Sequence, residues 1–260
     1  MTKIVVAVKY VPDATADRTF SADNTVDRVG VDGLLSELDE YAVEQALQVV
    51  EAGEGEVVVL TVGPDDAADA VRKALQMGAD SGIHVSDEAI HGSDAFATSA
   101  VLAKAIEKVG DYDLLFFGMA STDGGLGVVP TLVAERLGLP AVTFASEITV
   151  DGDTVKIRRD GDVATQEIEA TGKVVVSVTD QTGEARYPSF KGIMAAKKKP
   201  VEEWSLADLG LDAGSVGLDA AWSQVQSFEP RPARTAGEIV TDEGDGGAKL
   251  VEFLASKKFV

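Results

Sequence analysis

Continuous apolar runs, each followed by a stretch with helical spacing, constrain this chain most. KIVVAV (3–8) has no polar alternation. A strand buried on both faces reads this way, and such strands belong to parallel sheets covered by helices. LDEYAVEQALQVVEAGEG follows, with Leu38, Ala42, Val43, Ala46, Leu47 and Val50 on one face and Gly53 as a stop. EVVVLTVGP (56–64) is a second buried strand. DDAADAVRKALQMGAD is a helix with acidic residues in its first turn and Gly78 at its end. GIHVSD is a short strand, DAFATSAVLAKAIEKVG a helix and YDLLFFG (112–118) another buried strand. A glycine-rich turn leads into the helix VVPTLVAERLGLP, and KVVVSVTD (173–180) is the last apolar strand. Strand and helix alternate from residue 3 to about 138. That predicts an α/β fold, a parallel sheet with helices on both faces.

One segment breaks the rhythm. EITVDGDTVKIRRDGDVATQEIEA (147–170) has two Asp-Gly pairs and near-alternating apolar residues, which predicts an antiparallel hairpin or small meander. After Thr182 the periodicity is lost, apart from short helical stretches at LADLGL and GGAKLVEFLAS. The chain thus divides into an α/β domain over residues 1–182 and an arm over 183–260. An arm with so little core pattern is expected to pack on something else.

Composition excludes several classes. The 260 residues carry a formal net charge of −21, which phosphate backbones would repel, so nucleic acid is not an expected partner. Acidic residues clustered with Ala, Gly and Val, and scarce Lys, fit a salt-adapted, halophilic proteome. No cysteine is present, so disulfides, thiolate metal sites and a cysteine nucleophile are ruled out. The N-terminal apolar run is too short for a signal peptide and no later run approaches a membrane span. A cytoplasmic protein, not embedded in a membrane, is expected. His84 and His91 are the only histidines; a strand setting for one and a neighbouring glycine for the other favour structural roles. No Ser-His-Asp order, metal-ligand spacing or lysine pocket stands out, so no bond-making catalysis is expected and no catalytic or metal site is assigned.

Ligands of open parallel sheets bind beyond the carboxyl ends of the strands. VKYVPD, SELDEYA, TVGP and GMASTDGGLGVVP (118–130) emerge there. In the last, Gly118, Gly124, Gly125 and Gly127 allow close backbone approach, and free N–H groups at a helix start attract an anion such as phosphate. Thr122 and Asp123 could bond a ribose or an amide. The plain alternative is a glycine-rich turn that only reverses the chain. Neither dinucleotide nor P-loop fingerprint is present. A nucleotide-binding or carrier role fits these residues best.

A second anomaly lies near the end. From Ala185 to Val201 there is no acidic residue, and Arg186, Lys191, Lys197, Lys198 and Lys199 fall there; an even spread would place roughly one or two. A solvated lysine run is the plain reading.

Taken in order, KIVVAVKYVPD, LDEYAVEQAL, LTVGP, VRKALQMGAD, GIHVSD, FASEITVDGDTVKIRR, RYPSFKGIMAAKKKPVEEW and RTAG (234–237) resemble the beta subunit of electron transfer flavoprotein, Fix-type beta proteins included. The resemblance spans nearly the whole chain. It implies an adenine-nucleotide α-hydrolase-like domain with a C-terminal arm, paired with an alpha subunit. Such a pair shares a redox-active FAD, and the beta chain holds AMP, or a second FAD in electron-bifurcating members. Electrons arrive from dehydrogenases such as the acyl-CoA type and leave to a quinone oxidoreductase, or in bifurcating members arrive from NADH and leave also to ferredoxin. An adenine-nucleotide sensor without a redox role, on the same fold, is the third reading.

The resemblance also distributes roles. Ala7, Ser36, Leu38, Asp39, Val62, Gly63, Gly118, Thr122, Asp123, Gly124 and Gly125 would line the nucleotide pocket. The basic segment would be a recognition loop, with Tyr187, Phe190, Ile193, Met194 and Lys197 docking partners and Phe190 at the apolar anchor. The family's Asn-Pro before the first helix reads Ser36-Glu37 here, Val128 and Val129 stand near its usual Gln and Thr, and Met119 replaces a common basic residue. VKYVPD and Asp39 lean instead toward the Fix-type and bifurcating pattern.

Overall fold

A computed structural model describes residues 2–237 and 239–260. Strands β1 (Thr2–Val8), β4 (Gly55–Val62), β5 (Ser81–Val85), β6 (Leu114–Gly118), β7 (Ala141–Ala145), β11 (Val174–Val178) and β12 (Val201–Trp204) form one seven-stranded sheet, ordered β12-β5-β4-β1-β6-β11-β7. Every pairing in it is parallel. The apolar runs account for this. Ile4, Val6 and Val8 face one core, with Val57, Val59, Leu114 and Phe116. Val5 and Ala7 face a second, with Val58, Leu60, Leu115 and Phe117. Both faces are buried, as the lack of alternation requires.

Helices α1 (Glu37–Ala52) and α2 (Ala68–Met77) cover the first face, and α3 (Ala95–Val109) and α4 (Val129–Leu137) the second. The caps follow sequence chemistry: the Asp94 carboxylate accepts from the Ala97 amide at the start of α3, and Gly138 closes α4 in the left-handed region. Residues 147–170 form an antiparallel meander, β8 (Glu147–Asp151), β9 (Thr154–Asp160) and β10 (Thr165–Thr171), in order β10-β9-β8. Gly152 turns its first hairpin at φ 61°, and Val155 and Ile157 plug into the first core. A small pair, β2 (Tyr10–Pro12) with β3 (Gly33–Leu35), brackets the excursion 13–32.

The sheet takes its edge strand β12 from beyond residue 182. The chain divides into units of residues 1–226 and 227–260, so the boundary expected after residue 182 falls inside the larger unit. That unit also contains α5 (Phe190–Ala196) and α6 (Gly217–Ala220). The smaller unit contains α7 (Gly246–Ser256), in which no residue is buried. Its Leu250, Val251 and Phe253 are all exposed. Among the described residues no helix is long and apolar enough to cross a membrane.

Candidate functional site

Strand β1 lies at the centre of the sheet, with β4 on one side and β6 on the other. The strand order reverses there, which opens a crevice at the strand ends. Ser36, just before α1, and Asp39 of α1 meet Lys9 just beyond β1: the Lys9 amide donates to Asp39 Oδ2 at 2.8 Å and the Ser36 amide to the Lys9 carbonyl at 2.9 Å. Gly118 ends β6 against the same turn. A Cβ there would lie 2.4 Å from Asp39 Oδ1 and 2.7 Å from the Leu38 carbonyl oxygen, so only glycine fits. Val62 and Gly63 end β4 next to Val8, whose carbonyl accepts from Thr61 Oγ1 at 2.9 Å. Ala7 lies buried within β1. The expected pocket residues are thus gathered at one end of three adjacent strands.

Asp123 anchors the glycine-rich turn. Its side chain is only 1% exposed and pairs with Lys9 Nζ at 2.9 Å and with the Arg28 guanidinium. Burial pushes its carboxyl up, but Lys9, Ser121 and Arg28 together hold it below the usual carboxylate range. Arg18 donates from Nη2 to the Thr122 carbonyl at 3.0 Å. Lys9, Arg18 and Arg28 therefore converge on this turn. The Gly124 amide donates to Ser121 Oγ and Asp123 Oδ1, and the Gly125 amide to the Ser121 carbonyl. These two amides are engaged within the turn itself.

Among the described residues, the buried side-chain atoms Arg18 Nη1, Ser36 Oγ and Thr122 Oγ1 have no hydrogen-bond partner. Buried polar atoms are almost always partnered, and an orphan calls for a missing ligand or water. All three belong to the segments that meet at the crevice, and together with Lys9 and Arg28 they offer donors for phosphate and hydroxyl acceptors. Asp39 is the counterpart. Burial raises its carboxyl to about 7, against the lowering effect of the Lys9 and Gly118 amides and the Lys9 charge.

The basic segment forms α5 and its flanks. Ser189 caps the helix, its Oγ accepting from the Gly192 amide at 3.0 Å. Tyr187 (91% exposed) and Phe190 (81%) stand in solvent with Ile193 and Met194. Lys191, Lys197 and Lys198 are exposed around them. Arg186 and Lys199 are engaged internally instead. Four large apolar side chains are thus exposed on one short stretch.

A family model described as the electron transfer flavoprotein domain matches residues 23–209. The whole chain is 46% identical, over all of both sequences, to the electron transfer flavoprotein subunit beta of Mycobacterium leprae. The chain belongs to the electron transfer flavoprotein beta-subunit family. It is also 35% identical to the caffeyl-CoA reductase-Etf complex subunit CarD of Acetobacterium woodii, over 99% of this chain and 100% of that one. The Megasphaera elsdenii electron transfer flavoprotein subunit beta is 30% identical over 98% of this chain and 97% of its own. Electron transfer on behalf of a flavoprotein is therefore this chain's role, which removes the ground for the sensor reading.

Within this beta-subunit framework the sequence reading omitted Lys9, Arg18 and Arg28. A signal existed: no basic residue separates Arg28 from Arg72, yet Lys3, Lys9, Arg18 and Arg28 crowd the start of a very acidic chain. Both histidines contact polar groups of the chain. His84 Nε2 lies 3.1 Å from the Gly63 carbonyl, and His91 Nε2 lies 2.8 Å from Asp23 Oδ2.

Proposed function

We propose that this chain is the beta half of a heterodimeric electron carrier and holds an adenine nucleotide of its own at the ends of β1, β4 and β6. The observation that carries this reading is the convergence of Lys9 and Arg28 on Asp123 and of Arg18 on the Thr122 carbonyl, beside the orphaned atoms of Arg18, Ser36 and Thr122. The cations balance phosphate charge. The Ser36 and Thr122 hydroxyls fit ribose or adenine edges, and the Asp123 carboxylate holds Lys9 and Arg28 in place. Ala7, Leu38, Val62, Gly63, Gly118, Gly124 and Gly125 supply the close walls. AMP is the nucleotide proposed.

The working FAD is shared with an alpha subunit, and when bound it supplies the one- and two-electron chemistry that no side chain here can. This chain's part is to orient, to exclude water and to present a docking surface. Tyr187, Phe190, Ile193 and Met194, with Lys197 at the rim, form that surface for dehydrogenases such as the acyl-CoA type. An apolar anchor inside a charged rim gives affinity to a small interface, and local positive charge steers an acidic partner toward an otherwise negative molecule. Electrons then pass from this cytoplasmic carrier to a quinone oxidoreductase. The unit from Ser227 to Val260, with the unburied apolar side chains of α7, is proposed to pack on the alpha subunit. Electron transfer depends on distance, so docking and motion limit the rate more than chemistry does.

A second reading has one specific support. Three cations gathered at one crevice suit a diphosphate as well as a single phosphate, so a second FAD and a bifurcating role stand as the alternative. Counting cofactors separates them. The chain, co-expressed with its alpha subunit and purified at high salt, is expected to release one FAD and one AMP per pair on denaturation. Two FAD per pair would favour the alternative. One FAD with no further nucleotide would overturn the pocket.

A further inference from the structure

The docking helix poses a stability problem. α5 is seven residues long and buries only Ala196. Isolated helices shorter than about 12–15 residues are marginal in water, and one buried alanine adds little. The apolar side chains that would normally hold such a helix down point to solvent. Something else must fix it.

Both flanks carry a cation turned inward. Before the helix, Arg186 forks onto two carboxylates of α1: Nε to Glu44 Oε2 at 2.6 Å and Nη2 to Glu44 Oε1 at 3.1 Å, then Nη1 to Glu51 Oε1 at 2.5 Å and Nη2 to Glu51 Oε2 at 2.9 Å. Its backbone amide also donates to Glu44 Oε2 at 3.1 Å. The planar guanidinium suits such paired acceptors and Lys would not reproduce the fork. After the helix, Lys199 Nζ donates to the Leu75 carbonyl at 3.1 Å, the Gly78 carbonyl at 2.9 Å and the Ala79 carbonyl. These carbonyls lie at the C-terminal end of α2, which has no basic residue in its own last turn. A cation there satisfies orphan carbonyls and the helix dipole. Between the two pins α5 lies tight on α2: a Cβ on Gly192 would sit 2.4 Å from the Gln76 carbonyl oxygen.

We infer that Arg186 and Lys199 are positioning residues that hold α5 preformed from both ends, leaving its apolar face free for an electron-transfer partner. This rests on the reading of α5 as the docking surface. The consequence is quantitative. If release of one pin lowers the folded fraction of α5 to about one tenth, the apparent affinity for a partner falls about tenfold, because the partner must then order the helix itself.

Hydrogen exchange on the complete complex with its alpha subunit tests the pins without any partner. In Lys199→Met and Arg186→Met, amides of residues 187–199 are expected to exchange at least about tenfold faster, while β1 and β6 are unchanged and exposed Lys198→Met leaves the segment as it was. Titration with a reduced acyl-CoA dehydrogenase as donor is then expected to show KM raised about tenfold, with kcat and the flavin absorbance held. Arg186→Lys is expected to recover only part of the affinity. Unchanged exchange in both Met variants overturns the inference. So does acceleration that extends to β1, since the pins would then serve overall stability. Faster exchange with unchanged KM overturns the positioning role; if Phe190→Ala also leaves KM unchanged, the docking reading is what has failed.

Discussion

Asp39 is a carboxyl that folding removes from water. Its folded pKa of about 7 lies above the ordinary 3.8, so the folded chain keeps a proton that the unfolded chain releases. The stability this group contributes is whole below about pH 4, declines as pH rises toward 7 and is flat above. The full span is at most about 4 kcal/mol. Asn cannot ionise, so Asp39→Asn is expected to gain in melting temperature relative to the parent as pH goes from 4 to 7, with the difference level beyond 8. Thermal unfolding of both across that range checks it, and a constant difference would show that burial does not govern Asp39. At this scale the sequence was partly legible. Asp39 was placed in the site only by the family resemblance, while Asp123 stood out in a glycine-rich turn. Lys9, Arg18 and Arg28 did not, because their partners lie 95 to 114 residues away. Nothing local distinguishes a lysine that will meet a carboxylate from one that will meet water.

At the scale of elements, the long strands and helices follow from periodicity, and the exceptions have a shared cause. β12 reads VEEW, with its first three residues exposed, and β7 is a five-residue strand at the other edge of the sheet. Both are short: β12 shows no apolar run, and β7, although Val142 and Ala145 are buried, offers too few residues in sequence to read as a strand. The junction of β6 with α1 is the tightest point of the candidate site. Gly118→Ala would force a methyl group against the Asp39 carboxylate and the Leu38 carbonyl. A loss of about 1–3 kcal/mol is expected, seen as a lower urea midpoint with unchanged slope. A midpoint within error of the parent would mean that the junction can open and that the pocket wall is less fixed than its geometry indicates.

For the whole molecule, charge is the dominant variable. A net charge of −21 on 260 residues makes the compact state repel itself. Raising KCl from about 0.1 M to 1 M shortens the screening length from about 10 Å to 3 Å. The melting temperature is expected to rise across that range, and a flat or falling profile would show that self-repulsion costs this fold little. The sequence by itself determined the layered α/β architecture, the two buried faces of the sheet, the meander and the family, because burial on one or both faces is written locally as a period of apolar residues. Only the tertiary structure decided that Lys9 and Arg28 meet at Asp123 with Arg18 on the neighbouring Thr122 carbonyl, that the Gly124 and Gly125 amides are engaged within their own turn, and that two basic residues of the 185–201 segment turn inward to pin α5 while three stay at the surface. Those outcomes depend on which distant segments topology brings within a few ångströms, and electrostatic pairing across such distances leaves no periodic trace in the chain.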